Sequence, residues 1–168
     1  VSWARRMCIR DRDGYGFSSG GTVRVIETPL GQALPLICYE AIFPQHIRSL
    51  EERPDFLLQI TNDAWFGTFS GPYQHLDQAR FRALEQGLAL VRVANTGVSA
   101  VIGPGGDIID QIALGEAGYK DVVVPVPLPA TFYSSIGDIP VFLLLCFAFG
   151  GLEASRRRNA IAKSAATG

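Results

Sequence analysis

Short apolar runs alternate with polar and amphipathic segments along most of the chain, and this pattern predicts alternating strands and helices. Small and apolar residues at helical spacing predict helices over residues 44–53 and 74–89, with Pro44 suited to a first helical turn. Strands and helices alternate early, and hairpin-like strands follow, which favours an α/β layered domain with a mixed sheet. Apolar runs and alternating patterns predict strands over residues 22–28, 33–38, 56–61, 90–94, 99–102, 108–113 and 121–126.

The last apolar run, residues 139–152, carries no charged side chain. Counted from Tyr133, about 20 residues would form about 30 Å of helix, which is the thickness of a bilayer core. Phe132 and Tyr133 would then form an aromatic belt, and Asp138 would lie near one interface. The pattern predicts a transmembrane helix over residues 131–154; the alternative is a terminal helix buried in a protein core.

Three arginines, Arg156, Arg157 and Arg158, follow the far end of this run. Basic residues next to a span favour the cytoplasmic side. The sequence therefore predicts a cytoplasmic basic tail over residues 155–168. Residues 14–130 would then form a domain on the opposite, non-cytoplasmic side.

Composition narrows the class of protein. The 168 residues are 48% hydrophobic and 18% charged, so one domain with a substantial core is expected. The formal net charge of -1 does not favour a nucleic-acid partner. The cysteines, Cys8, Cys38 and Cys146, lie far apart, which predicts unpaired thiols. With His46 and His75 as the only histidines, we expect no metal and no cofactor.

Residues 1–13 show neither a helical nor a strand period. The stretch from Met7 to Arg12 resembles a translated sequencing adapter. We expect residues 1–13 to be non-native or disordered, and give Cys8 no functional weight. Residues 15–21 are rich in glycine and serine, which predicts a loop.

Cys38 is the strongest candidate for chemistry. It follows the apolar run at residues 34–37 and stands two positions before Glu40. A thiol at the tip of a buried strand, with a carboxylate close behind, is typical of a strand-to-helix elbow that presents a nucleophile. The alternative is a buried structural cysteine, since cysteine is also a common core residue.

Several blocks of sequence occur in an order that resembles one family, the bacterial apolipoprotein N-acyltransferases. The resemblance covers about residues 14–158, including a last transmembrane helix. The ordered set is specific, although each block alone is weak. The blocks are Ile37-Cys38-Tyr39-Glu40, Asn62-Asp63-Ala64-Trp65-Phe66-Gly67, Gly71-Pro72-Tyr73-Gln74-His75, Ala79-Arg80-Phe81-Arg82-Ala83-Leu84-Glu85, Asn95-Thr96-Gly97-Val98-Ser99 and Gly103-Pro104-Gly105-Gly106.

The resemblance implies a nitrilase-like α-β-β-α sandwich, present here in part, followed by one transmembrane helix. It implies a Glu-Lys-Cys triad in which Cys38 is the nucleophile. The thiolate would take an acyl chain from a phospholipid as a thioester and pass it to the N-terminal amine of a lipid-modified apolipoprotein. The triad Glu and Lys would precede this segment, so we expect the segment alone to be an inactive fragment.

Other residues near the elbow have candidate supporting roles. Glu40 would orient the site or hold the elbow through backbone N–H groups; the alternative is a plain first-turn carboxylate. The N–H of Tyr39 would point at the oxyanion, or its ring would simply pack in the core. Trp65 and Phe66 would form a lid on acyl chains, or a loop tucked under its own aromatics. His75 is expected to be structural.

The resemblance also implies a location, the bacterial inner membrane, with the catalytic domain on the periplasmic face. Its partners would be a phospholipid donor, an apolipoprotein acceptor and the membrane. Two other functions remain open. One is a carbon-nitrogen hydrolase that acts on a small amide, with water resolving the thioester. The other is a non-catalytic domain tethered to the membrane.

Overall fold

The computed structural model describes residues 24–48, 50 and 52–166. The predictions for residues 1–13 and 15–21, and the start of the first predicted strand, lie outside these residues. Six strands and four helices occur in the described part, together with two 3-10 helices, Cys38–Ile42 and Asp63–Phe66. The strands are β1 (Ile26–Thr28), β2 (Gly31–Ile37), β3 (Phe56–Asn62), β4 (Ala89–Asn95), β5 (Ser99–Ile102) and β6 (Ile108–Ile112), and the helices are α1 (Pro44–Arg48), α2 (Gly71–Gln86), α3 (Phe132–Ile136) and α4 (Ile139–Ala166).

The six strands form one mixed sheet in sequence order, which confirms the predicted α/β class. β2, β3 and β4 are parallel, whereas β1, β5 and β6 pair antiparallel with their neighbours. The register places Ile37 opposite Ile60, and Asn62 opposite Asn95. The carboxyl ends of β2, β3 and β4 therefore meet at one edge of the sheet, where ligands bind in many open α/β sheets.

Helix α2 covers one face of this sheet. Pro72 lies in its first turn, and Gly87 ends it in the left-handed conformation with φ of 63°. Its buried face carries Leu76, Ala79 and Ala83, three or four residues apart. These side chains join the main core, together with apolar residues that point inward from β2, β3, β4 and β5. The small alanines let the helix lie close to the sheet.

The other face of the sheet is apolar and partly exposed. Ile37, Ile60 and Val93 stand side by side on β2, β3 and β4, and each is between 42% and 52% exposed. Deeper on the same face, Ala33, Phe56 and Ala89 are buried in a second, smaller cluster. An apolar row in register across three central strands is the surface that a second layer covers in a sandwich.

The chain leaves the sheet along the C-terminal turn of α2. The backbone N–H of Leu128 donates to the carbonyl of Gly87 at 2.9 Å, and the Thr131 hydroxyl donates to the carbonyl of Glu85. Glu85 also accepts from Arg82 at 2.5 Å, three residues earlier on the same helix. The segment of residues 128–131 is thus held by the C-terminal end of α2.

One predicted strand is absent from the structure, and one predicted helix is shorter than predicted. Residues 121–126 form no strand, although Val124 packs against the smaller core cluster. Pro125 and Pro127 interrupt this segment, and proline cannot donate to a strand ladder. The helix predicted over residues 44–53 is shorter, because α1 ends at Arg48.

The C-terminal segment is a compact unit that begins at Phe132. It is not one continuous helix, because Gly137 adopts a φ of 58° between α3 and α4. Helix α4 then continues to Ala166, through the predicted tail. Its window Ile139–Arg156 has a mean hydropathy of 1.5, so by length and composition the helix is long and apolar enough to cross a membrane.

Candidate active site

Cys38 lies where β2 turns into a 3-10 helix, as the sequence predicts. Strand β2 ends at Ile37, and the 3-10 helix Cys38–Ile42 begins at once. Cys38 has a φ of 53°, a left-handed conformation that is uncommon for a residue other than glycine. Such strained residues concentrate at functional sites, where the surrounding structure holds them in place. The geometry is that of an elbow that projects its side chain from the sheet edge.

Glu40 holds this elbow from the C-terminal side. Its Oε2 accepts a hydrogen bond from the backbone N–H of Ile37 at 3.0 Å. This contact is of the kind expected if the carboxylate stabilises the turn through backbone N–H groups. It spans the residues on either side of Cys38 and fixes the direction in which the chain enters and leaves the elbow.

An aromatic cluster packs beside the elbow. The ring centroid of Tyr39 lies 6.0 Å from that of Phe66 and 5.5 Å from that of His75. Phe66 in turn contacts His75 edge-on at 5.3 Å. The side chains of Trp65 and Phe69 are 76% and 89% exposed. The loop therefore tucks Phe66 inward and leaves two aromatic side chains in the open.

Beneath the elbow lies a closed ring of hydrogen-bonded polar side chains. Asp63 accepts from His75 Nδ1 at 2.9 Å through Oδ1 and from Arg92 Nη2 at 2.5 Å through Oδ2. Gln59 completes the ring, because it contacts Arg92 Nη1 through Oε1 and His75 Nε2 through Nε2. Thr61 adds a hydrogen bond to Asp63. All five side chains are at most 6% exposed.

Opposing effects act on the pKa values of Asp63 and Arg92 in this ring. Burial alone would raise the pKa of Asp63, but the hydrogen bond from His75 and the charge of Arg92 together lower it below its usual value. Burial lowers the pKa of Arg92, and Asp63 opposes that effect. The two form a buried ion pair, and removal of either partner would leave an uncompensated charge in the core.

The ends of the neighbouring parallel strands complete the edge. Asn62 and Asn95 are exposed and paired in register, and Asn62 Oδ1 accepts from the backbone N–H of Ala64 at 3.1 Å. Thr96 has a φ of 60°, so a second left-handed residue lies next to this edge. Gly97 packs directly on Asp63, and a Cβ at that position would lie 2.7 Å from the Asp63 Cβ.

One of the two described cysteines differs from the sequence prediction. The structure places the sulfur of Cys38 in a disulfide, whereas the prediction was unpaired thiols. Cys146 is an exposed free cysteine. Separation along a chain does not set separation in space, so spacing alone was a poor guide to pairing. Only a thiolate is a nucleophile, so nucleophilic attack by Cys38 requires its reduced form.

Lys120 is placed away from the elbow. It pairs with Asp110 on β6, and β6 lies four strand spacings, about 19 Å, from β2. Within the described part of the chain, no three His, Cys, Asp or Glu side chains form a group that could hold a metal ion. The arrangement at Cys38 is a cysteine elbow with a buried polar support beneath it.

Three of the ring residues were missed by sequence reasoning, which gave no role to Gln59, Asp63 or Arg92. A signal was present. Gln59 and Arg92 interrupt apolar runs that were assigned to buried strands, and a buried polar group needs partners. The predicted lid of Trp65 and Phe66 does not include Phe69, although Phe69 is the more exposed aromatic of this loop.

An α/β sheet with a left-handed cysteine at a strand-to-helix elbow defines a class of thiol-dependent enzymes. Residues 5–126 match the carbon-nitrogen hydrolase family, and the chain belongs to that family. Solved structures agree in fold. A carbon-nitrogen hydrolase from Helicobacter pylori aligns with a TM-score of 0.53 and 16% identity, over 65% of this chain and 47% of that chain. A superfamily member from Xanthomonas campestris gives 0.50 and 20%, over 70% and 48%.

Curated relatives are more similar in sequence. The chain is 49% identical over 146 residues to the apolipoprotein N-acyltransferase of Bradyrhizobium diazoefficiens, which covers 86% of this chain and 27% of the relative. It is 53% identical over 131 residues to the apolipoprotein N-acyltransferase of Rhodopseudomonas palustris, which covers 77% and 24%. The chain therefore spans about a quarter of the length of these relatives.

Proposed function

We propose that the full-length protein containing this chain transfers an acyl chain from a phospholipid to the N-terminal amine of a lipid-modified apolipoprotein. The observation that carries the proposal is the 49–53% identity to apolipoprotein N-acyltransferases over most of the chain. The cysteine elbow supports it, because acyl transfer through a thioester needs a projecting cysteine. The activity is that of the full-length relatives, of which this chain spans about a quarter.

The reaction has two balanced halves. The Cys38 thiolate attacks the ester carbonyl carbon of the phospholipid, and a C–S bond forms as the carbonyl electrons move to oxygen. The oxyanion collapses, the ester C–O bond breaks, and the lysophospholipid leaves with the proton that the general base first took from the Cys38 thiol. The acceptor amine then attacks the thioester and gives a proton to the same base, an amide C–N bond forms, the C–S bond breaks and the thiolate returns.

Residues of this chain have separate roles in the proposal. Cys38 is the nucleophile, and the N–H of Tyr39 contributes to oxyanion stabilisation. Glu40 is a positioning residue, through its contact with the Ile37 N–H. The general-base Glu and the Lys of the triad would come from sequence outside this segment, so the segment alone would not turn over.

We further propose that α4 anchors the protein in the bacterial inner membrane. Its apolar window supports a span. The basic residues at 156–158 favour a cytoplasmic C-terminus. The sheet unit, which is the unit that ends at Thr131, would then lie on the periplasmic face, where lipid-modified substrates are exposed.

The test uses the full-length protein, reduced and reconstituted in phospholipid vesicles with a radiolabelled acyl chain. We expect label on the protein as a hydroxylamine-sensitive thioester. Addition of a peptide that begins with a lipid-modified cysteine should move the label to that peptide as a stable amide. Label released only as free fatty acid would mean that water resolves the thioester, and the acyltransferase proposal would be wrong.

The exposed aromatics of the loop give a further prediction. Trp65→Ala and Phe69→Ala should each slow thioester formation from a long-chain phospholipid by about 10-fold, which is about 1.4 kcal/mol of lost apolar contact. A short-chain, water-soluble phospholipid should be affected less, because it offers less chain to cover. The measurement is the single-turnover rate with each lipid.

Phe81→Ala is the matched control, since Phe81 is an exposed aromatic on α2 outside this loop. Phe66→Ala differs from both, because Phe66 packs against Tyr39 and His75 and its loss should lower the melting temperature. Equal rates for the loop variants and the wild type with the long-chain lipid would exclude a lid made by Trp65 and Phe69.

A further inference from the structure

Gln59 is the one member of the buried ring that also contacts the backbone of the nucleophile. It lies on the central strand β3, fully buried. Its Nε2 donates to the carbonyl oxygen of Cys38 at 3.1 Å and contacts His75 Nε2 at 3.2 Å. Its Oε1 accepts from Arg92 Nη1. The whole amide group is therefore used, with both hydrogens and the oxygen engaged.

Arg92 fixes which way this amide faces. A guanidinium only donates, so the atom next to Arg92 Nη1 is the amide oxygen, and the amide nitrogen faces Cys38 and His75. His75 Nε2 must then accept, and the proton of the neutral ring lies on Nδ1, which donates to Asp63. The ion pair of Arg92 with Asp63 thereby holds Gln59 as a double donor.

A fixed carbonyl also fixes the N–H of the next residue. The peptide unit between Cys38 and Tyr39 is planar and trans, so its C=O and N–H point in opposite directions. The carbonyl is directed into the buried ring by Gln59. The N–H of Tyr39 is therefore directed away from the ring.

We propose that Gln59 is a positioning residue that orients the Tyr39 N–H for the oxyanion of both half-reactions. The inference rests on the proposed acyl transfer and deepens it. The left-handed conformation of Cys38 is strained, and it persists only where other contacts hold it in place. Gln59 holds it from below, and it also holds His75, on which the Tyr39 ring packs.

The test compares two reactions of the same sulfur in the reduced full-length protein. Thioester formation from a phospholipid passes through an oxyanion, whereas alkylation by iodoacetamide does not. In Gln59→Met, which has similar size and no amide, we expect thioester formation to fall by about 10- to 100-fold, somewhat less than the loss of an entire oxyanion donor. The alkylation rate of Cys38, followed by mass spectrometry of its peptide, should stay within about 3-fold.

Gln59→Glu is the second variant, in case the methionine impairs folding. It keeps an acceptor for Arg92 but loses both hydrogens that face Cys38 and His75. Because the added charge disfavours the thiolate, alkylation rates are compared on their high-pH plateau. Gln78→Met, on the exposed side of α2, is the matched control and should leave both rates unchanged.

Two results would overturn the inference. One is unchanged thioester formation in both Gln59 variants. The other is a parallel fall of thioester formation and plateau alkylation, since that pattern reports general disorder of the elbow. A wild-type protein that forms no thioester would instead overturn the proposed function, and this inference with it.

Discussion

Replacement of Cys38 by alanine is expected to abolish the acyl-enzyme and to lower acyl transfer by about 10⁴-fold or more, the usual cost of removing a catalytic nucleophile. The other described cysteine, Cys146, lies on α4, so no second thiol of the described residues stands at the end of β2 to take over the attack. The measurement is labelled thioester on the full-length, reduced protein, together with product formation on a lipid-modified peptide.

Cys146→Ala is the matched control, because it removes an exposed free cysteine from α4 and should leave the rates unchanged. Cys38→Ser adds a stricter comparison. A serine hydroxyl is a much weaker nucleophile without a strong base, so it should form little ester and none that hydroxylamine cleaves as a thioester. Thioester retained in Cys38→Ala would show that another residue carries the acyl group.

The second large effect is on stability. We expect Asp63→Asn to destabilise the sheet unit by about 3–5 kcal/mol, because it leaves Arg92 buried without a counter-charge. For a domain of about 150–250 residues, this lowers the melting temperature by roughly 6–20 °C. The measurement is thermal unfolding of the full-length protein, with wild type and variant in the same detergent.

Asp77→Asn is the matched control for this change. Asp77 pairs with Arg80 at 2.9 Å, but its side chain is 57% exposed. Exposed pairs contribute about 0–1 kcal/mol, so the melting temperature should move by only a few degrees. Equal shifts in the two variants would contradict a buried, energetically important Asp63–Arg92 pair.

The same pair predicts how stability depends on pH. The pKa of Asp63 is lowered in the fold, so its stabilising contribution is complete above the ordinary carboxyl pKa, near 4. That contribution is lost as the pH falls through the lowered value. The difference in melting temperature between wild type and Asp63→Asn should therefore shrink on acidification below about pH 4.

The fold was largely predictable because its elements have strong local patterns. The strand Ser99–Ile102 has the predicted bounds, and β3 is one residue longer than predicted. The errors lie where single residues outweigh the pattern. Alternating valines near Pro125 form no strand, and Gly137 breaks an apolar helix that composition alone would continue.

The site was predictable only at its centre. Cys38 follows from the strand end and the motif, and the Glu40 contact follows from helix-capping chemistry. The ring of Gln59, Asp63 and Arg92 depends on register between strands far apart in sequence, which no local pattern specifies.

The two ends of α2 contact different parts of the protein. Its 16 residues span about 24 Å. The N-terminal half carries His75 of the buried ring, whereas Glu85 and Gly87 at the far end hold the segment through which the chain leaves the sheet. If α4 is the anchor and Cys38 the nucleophile, as we propose, changes in sequence at this exit would alter the attachment without altering the chemistry, and the two properties could evolve independently.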